Sequence, residues 1–103
     1  MLDVPQLVTS PTLGGAEVQK APFTGSVSNG VWSTCHYPIT GYQYEWSYFP
    51  SGGSDHFISG ATHNTFLIGT QYIGDGIHAW VSACNYVGCS SYAEATGAYY
   101  PTG

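Results

Sequence analysis

Residues 79–92 constrain the fold of this chain more than any other part: an extended run, a four-residue turn bracketed by two cysteines, and a second extended run. Val81 and Ala83 alternate with Ser82 and Cys84 at the period of two that a half-buried strand requires. Residues 85–88 begin with Asn and end with Gly, the residue types that turn a chain back on itself. Cys84 and Cys89 then fall where opposed strand residues come within bridging distance, and a Cys84–Cys89 disulfide is the expected pair. The stretch reads as the closing hairpin of an all-β domain.

The rest of the composition agrees with that reading. Fourteen glycines and nine tyrosines, with one Lys or Arg against six Asp and Glu, describe short strands and turns rather than helices with a charged wet face. At 103 residues the chain has room for one core, and a single domain over 1–103 is expected. Lys20 is the only Lys or Arg, and a formal net charge of −5 leaves no basic surface for phosphates, so nucleic acid and anionic membranes are not expected partners. No apolar run approaches the roughly 20 residues that span a bilayer. Residues 1–5 also lack the basic and apolar regions of a secretory signal.

Along the chain, 1–12 reads as an N-terminal arm or edge strand, with 6–9 extended between Pro5 and Pro11. Strands are expected over 16–23, 56–59, 64–68 and 77–84, with a turn-rich stretch at 25–38 and a short tail at 98–103. Residues 41–48 give the clearest strand. Tyr42, Tyr44, Trp46 and Tyr48 share one face while Gln43, Glu45 and Ser47 share the other, which makes it the central strand with Trp46 and Tyr44 in the core beside Val81.

Residues 58–66, then 72–74, then 77–91 resemble the C-terminal half of bacterial and phage immunoglobulin-like and fibronectin-type-III-like modules. The likeness lies in a Gly60-Ala61-Thr62 turn before a strand, a bend ending at Gly74, and a hairpin with Val81, Ala83, Asn85, Gly88 and Ser90 in the family's spacing. With Tyr44, Glu45 and Trp46 similar to the family's tryptophan-bearing strand, the resemblance covers roughly residues 41–97 and implies an immunoglobulin-like antiparallel β-sandwich of about seven strands. The family's inter-sheet bridge packed on tryptophan raises a second pairing, Cys35 with Cys84. Strand parity argues against it, because Cys84 points away from a core lined by Ile77, Val81 and Ala83. Cys35 is then either a small buried hydrophobe or a thiol used between subunits.

Parity also singles out one anomaly. If Ile77, Ala79, Val81 and Ala83 face the core, then His78, Trp80 and Ser82 face outward, and Trp80 lies beside Gln43 and Glu45 of the central strand. A polar-rimmed aromatic patch of this kind suits an interface or a sugar platform, unless the arm, a loop or a neighbouring strand covers it. Tyr86 in the hairpin turn and Phe49 beside Pro50 are secondary interface candidates. His36, His56, His63 and His78 show no metal-ligand spacing, and Asp55-His56 stands alone, so neither a metal nor a cofactor is expected. Nucleophile elbows, phosphate loops and paired catalytic carboxylates are not found either, and no enzyme is expected.

The expected role is therefore structural or binding. The modules of the resembling family occur as stalks and adhesion repeats of secreted proteins and as appendages of phage capsids and tails. A virion decoration or accessory protein docking on other virion proteins or on itself is the first expectation, since the chain begins with Met, lacks a signal and ends soon after its last strand. An extracellular module that binds a host-surface glycan or protein is the alternative.

Overall fold

The structure is a computed structural model, and it describes residues 3–34 and 36–103. It is all-β. The described residues form ten strands in chain order: β1 (Gln6–Thr9), β2 (Val18–Lys20), β3 (Phe23–Ser26), β4 (Val31–Ser33), β5 (Gly41–Phe49), β6 (His56–Phe57), β7 (Thr65–Ile68), β8 (Gly76–Cys84), β9 (Ala93–Glu94) and β10 (Tyr100–Thr102). Among the described residues the only helical element is one 3-10 turn, Thr70–Tyr72.

The backbone of the molecule is the antiparallel β5–β8 pair, in register from Gly41 opposite Cys84 to Phe49 opposite Gly76. With β6 on one side and β9 on the other it makes a four-stranded sheet in the order β6-β5-β8-β9. Strict alternation assigns the faces. Trp46, Ile77, Ala79, Val81 and Ala83 are fully buried on one side, and Tyr42, Tyr44 and Tyr48 pack around the same core. The β3–β7 pair contributes Phe23, Phe66 and Ile68 to it, with the Phe66 ring 5.6 Å from that of Trp46. Trp46 is enclosed completely and its indole N–H donates to the His63 carbonyl at 2.8 Å, so burial leaves no polar atom unpaired.

The C-terminal segment departs from its expected role as a tail. Tyr99 is fully buried, its backbone exchanges both hydrogen bonds with Ile77 at 2.8 and 2.9 Å, and its ring packs edge-on against Phe23. The Tyr99 hydroxyl donates to the Gly14 carbonyl and accepts the Ser26 N–H, so one side chain ties three segments together. Gly25 is what makes room: a Cβ there would lie 2.8 Å from the Tyr99 ring. The reason a tail becomes core is composition, because a large aromatic with buried Ala98 before it and buried Pro101 two residues after it gains more from burial than the short segment loses in freedom.

Two more expectations change in detail. The extended run at 16–23 is interrupted at Ala21-Pro22, giving β2 and β3 in different sheets. β2 pairs in parallel with β10, Val18 opposite Tyr100, against the all-antiparallel arrangement expected. The sheets are small: besides the four-stranded one there are three two-stranded pairs, β1–β4, β2–β10 and β3–β7.

The closing hairpin carries the Cys84–Cys89 disulfide. Its turn is organised by Asn85, whose side-chain oxygen accepts the N–H groups of Val87 and Gly88 at 2.9 and 3.2 Å while its amide donates to the Asp3 carbonyl at 2.7 Å. The return strand is less regular than expected. Beyond the Cys84–Cys89 bridge, the Ser90 hydroxyl takes the Ala83 N–H, and regular pairing resumes only at Ala93 and Glu94. Cys35, invoked in the alternative bridge and as a free thiol, lies outside the described residues, as do Met1 and Leu2 of the arm.

Candidate functional site

The outer face of the four-stranded sheet collects the polar and aromatic residues that alternate with the core. The register lines them up in rows: Phe57, Ser47 and His78 across β6, β5 and β8, then Glu45, Trp80 and Glu94 across β5, β8 and β9. Gln43 opposes Ser82 in the next row. Trp80 is half-buried, with the exposed ring of Phe57 5.7 Å away, so neither the arm nor the loop before β5 is needed to account for its partial cover.

A chain of hydrogen bonds runs through these rows. The Trp80 indole N–H donates to Ser47 Oγ at 2.9 Å, and that hydroxyl donates to Asp55 Oδ1 at 3.0 Å. Asp55 Oδ1 lies 2.9 Å from His78 Nδ1, which is also 3.2 Å from Glu94 Oε2. Ionised carboxylates only accept, so in the absence of another cation the Nδ1 position carries the proton that faces both acids. Ser47 is fully enclosed, whereas the side chains of His78, Asp55 and Glu94 are 21%, 29% and 44% exposed. The three groups therefore sit at the rim of the sheet, open to solvent on one side and anchored on the other.

The imidazole is held by rings as well as by acids. Phe49 stacks on His78 with centroids 4.5 Å apart, and Trp80 meets it edge-on at 6.3 Å. Phe49 itself lies over Gly76, its cross-strand partner, whose lack of a side chain leaves space for the ring. Beside His78 and Glu94 opens a cleft of about 470 Å³, lined also by Glu17, Gly97, Ala98 and Tyr100. Glu17 accepts the Ala98 N–H at 3.3 Å across it.

The structure thus brings together His78, Trp80, Glu45 and Phe49 of the sequence-predicted set on one face, with Gln43 one row away and bonded to the Tyr92 hydroxyl at 3.4 Å. Tyr86 stands apart at the hairpin tip, 83% exposed, with the Tyr37 ring 5.5 Å from it. Trp46 and Val81 are buried, and Tyr44 is half-buried with its hydroxyl donating to Asn29 Oδ1. Burial raises the Tyr44 phenol above its ordinary value, with the neighbouring Tyr42 adding to the shift; burial first and Glu45 second do the same for Tyr92.

Asp55, Glu94 and Ser47 do not read as a constellation in the sequence, where Asp55 is marked only by its neighbour His56 and Glu94 by nothing at all. Asp55 lies eight residues from Ser47 and reaches back through the β5–β6 turn; Glu94 arrives through β9. Strand parity marks Ser47 and His78 as outward neighbours, but no spacing in the sequence pairs them with these acids. Compared with known proteins, the chain matches no protein-family model and no curated protein at a significant level.

Proposed function

We propose that this protein is a non-catalytic binding module built as an immunoglobulin-like β-sandwich, and that it docks through the outer face of its four-stranded sheet onto a larger protein assembly, a phage capsid or tail. One observation carries the reading: Trp80, Phe57 and Phe49 gather on that face inside a rim of Gln43, Glu45, Glu94 and Tyr92, an aromatic centre with a polar border. The two-layer core around Trp46, with β3–β7 packed over β5–β8, supports the sandwich. The resemblance of residues 41–97 to phage and bacterial modules supports the setting.

Sedimentation of the protein from its native source, followed by imaging of what sediments, tests this. The expected result is co-migration with a large symmetric particle, and release by Phe57→Ser, a change at an exposed ring that leaves the core untouched. A lone monomer with no particle overturns the virion setting.

A second reading has its own support. The Cys84–Cys89 disulfide suits an oxidising environment, which favours an extracellular module that grips a host-surface glycan or protein through the same aromatic face. Screening the monomer against glycans and host surface proteins, with Trp80→Ala as the comparison, decides for or against it.

A further inference from the structure

We propose that Asp55, His78 and Glu94 form a binding site for a divalent transition-metal ion, with Zn2+ the best match to the donor set. The proposal does not depend on the docking role. His78 Nδ1 lies 2.9 Å from Asp55 Oδ1 and 3.2 Å from Glu94 Oε2, and all three ligand atoms lie within 4.8 Å of one another. Donors that share one ion at about 2.0–2.2 Å stand roughly 3 Å apart along the edges of its coordination shell. Two of the three edges already have that length, the third is no longer than 4.8 Å, and the Glu94 side chain is 44% exposed and so has room to adjust.

The charge balance points the same way. Two carboxylates converge on one imidazole, and the chain has a single Lys or Arg to offer. All three close contacts between a basic group and a carboxylate among the described residues use a histidine, and His78 alone faces two acids. An ion replacing the Nδ1 proton neutralises the excess negative charge more fully than the proton does.

The surroundings are those of a supported ligand set. Asp55 is aimed by the enclosed Ser47 hydroxyl, itself fixed by the Trp80 indole, and the His78 ring is clamped by Phe49. The cleft beside His78 and Glu94 supplies an entry path and room for a fourth ligand, water or a group of a partner. One nitrogen with two carboxylate oxygens favours Zn2+ over Ca2+, which takes six to eight oxygens. The competing pair, His36 with Asp3, brings only one acid to its imidazole and leaves it 72% exposed.

Calorimetric titration of the full chain, first stripped with a chelator, with ZnCl2 and separately with CaCl2 tests the site. The expected result is one equivalent of Zn2+, bound more tightly than Ca2+, with binding lost in His78→Phe and retained in His36→Ala. Glu94→Gln, an exposed change whose fold is checked by circular dichroism, weakens binding at least tenfold. Ser47→Ala weakens it on the order of 10–100-fold through the orientation of Asp55. Absence of saturable Zn2+ binding, Ca2+ as the tighter ligand, or unchanged affinity in folded Glu94→Gln overturns the proposal.

Discussion

The two faces of the β5–β8 ladder share one backbone and obey opposite physics. On the inner face, Trp46, Ile77, Ala79 and Val81 are sealed from water, and their only side-chain hydrogen bond is the one that satisfies the Trp46 indole. On the outer face, Trp80, Ser47 and His78 sit one residue along the same strands, and each is bonded or charge-paired to another side chain. Inner-face stability comes from removed apolar area, which any well-fitting hydrophobe supplies. Outer-face order comes from directional contacts, which fail when one member is lost. A strand can therefore serve as scaffold and as site at once, provided that the two roles alternate.

The largest break in this contrast is on the inner side. Trp46→Ala removes a completely enclosed ring in contact with Phe66 and Tyr99, and a loss of about 3–5 kcal/mol in unfolding free energy is expected from urea denaturation. A loss below about 1 kcal/mol would mean that the core lies elsewhere.

An intermediate effect is expected one residue away. Ser47→Ala removes little area but strips the Trp80 N–H and the Asp55 carboxylate of a partner, with an expected cost of about 1–3 kcal/mol. Restoration by Ser47→Thr, beyond what added bulk in Ser47→Val gives, isolates the hydroxyl. Equal stability of the Ala and wild-type proteins would show that water replaces the network without cost.

The smallest effect sharpens the comparison through pH. Tyr44 on the inner side and Tyr92 on the outer both have phenols raised above the ordinary 10.0, chiefly by burial, as does Tyr72. The folded state then holds these protons more firmly than the unfolded one, so their contribution is intact below about pH 10 and is lost as pH rises through the folded values. Phenolate absorbance followed alongside unfolding should show a modest alkaline loss that Tyr44→Phe and Tyr92→Phe each reduce. A stability that climbs over the same range would contradict the direction.

Much of the inner face was legible in the sequence. Period-two alternation in residues 41–48 and 77–84 placed Trp46 and Val81 in the core, and the Asn-to-Gly turn between Cys84 and Cys89 located the hairpin, because these signals act over neighbouring residues. The same parity turned Trp80 and His78 outward. Less readable was Tyr99: nothing local in a terminal Tyr-Tyr-Pro distinguishes a solvated end from a strand, and its burial depends on Ile77, Phe23 and the gap left by Gly25.

By itself, then, the sequence determined the all-β character, the central strand, the facing of its side chains and the closing hairpin. Only the tertiary structure decided that Asp55 and Glu94 meet at His78, that the C-terminal segment pairs with β2, and that a cleft opens beside Glu17. The reason is range. Strand period and turn chemistry are set by residues a few positions apart, whereas the acid–imidazole cluster joins groups separated by 23 positions on one side and brought in by a separate strand on the other, contacts that exist only once the sheet has chosen its order.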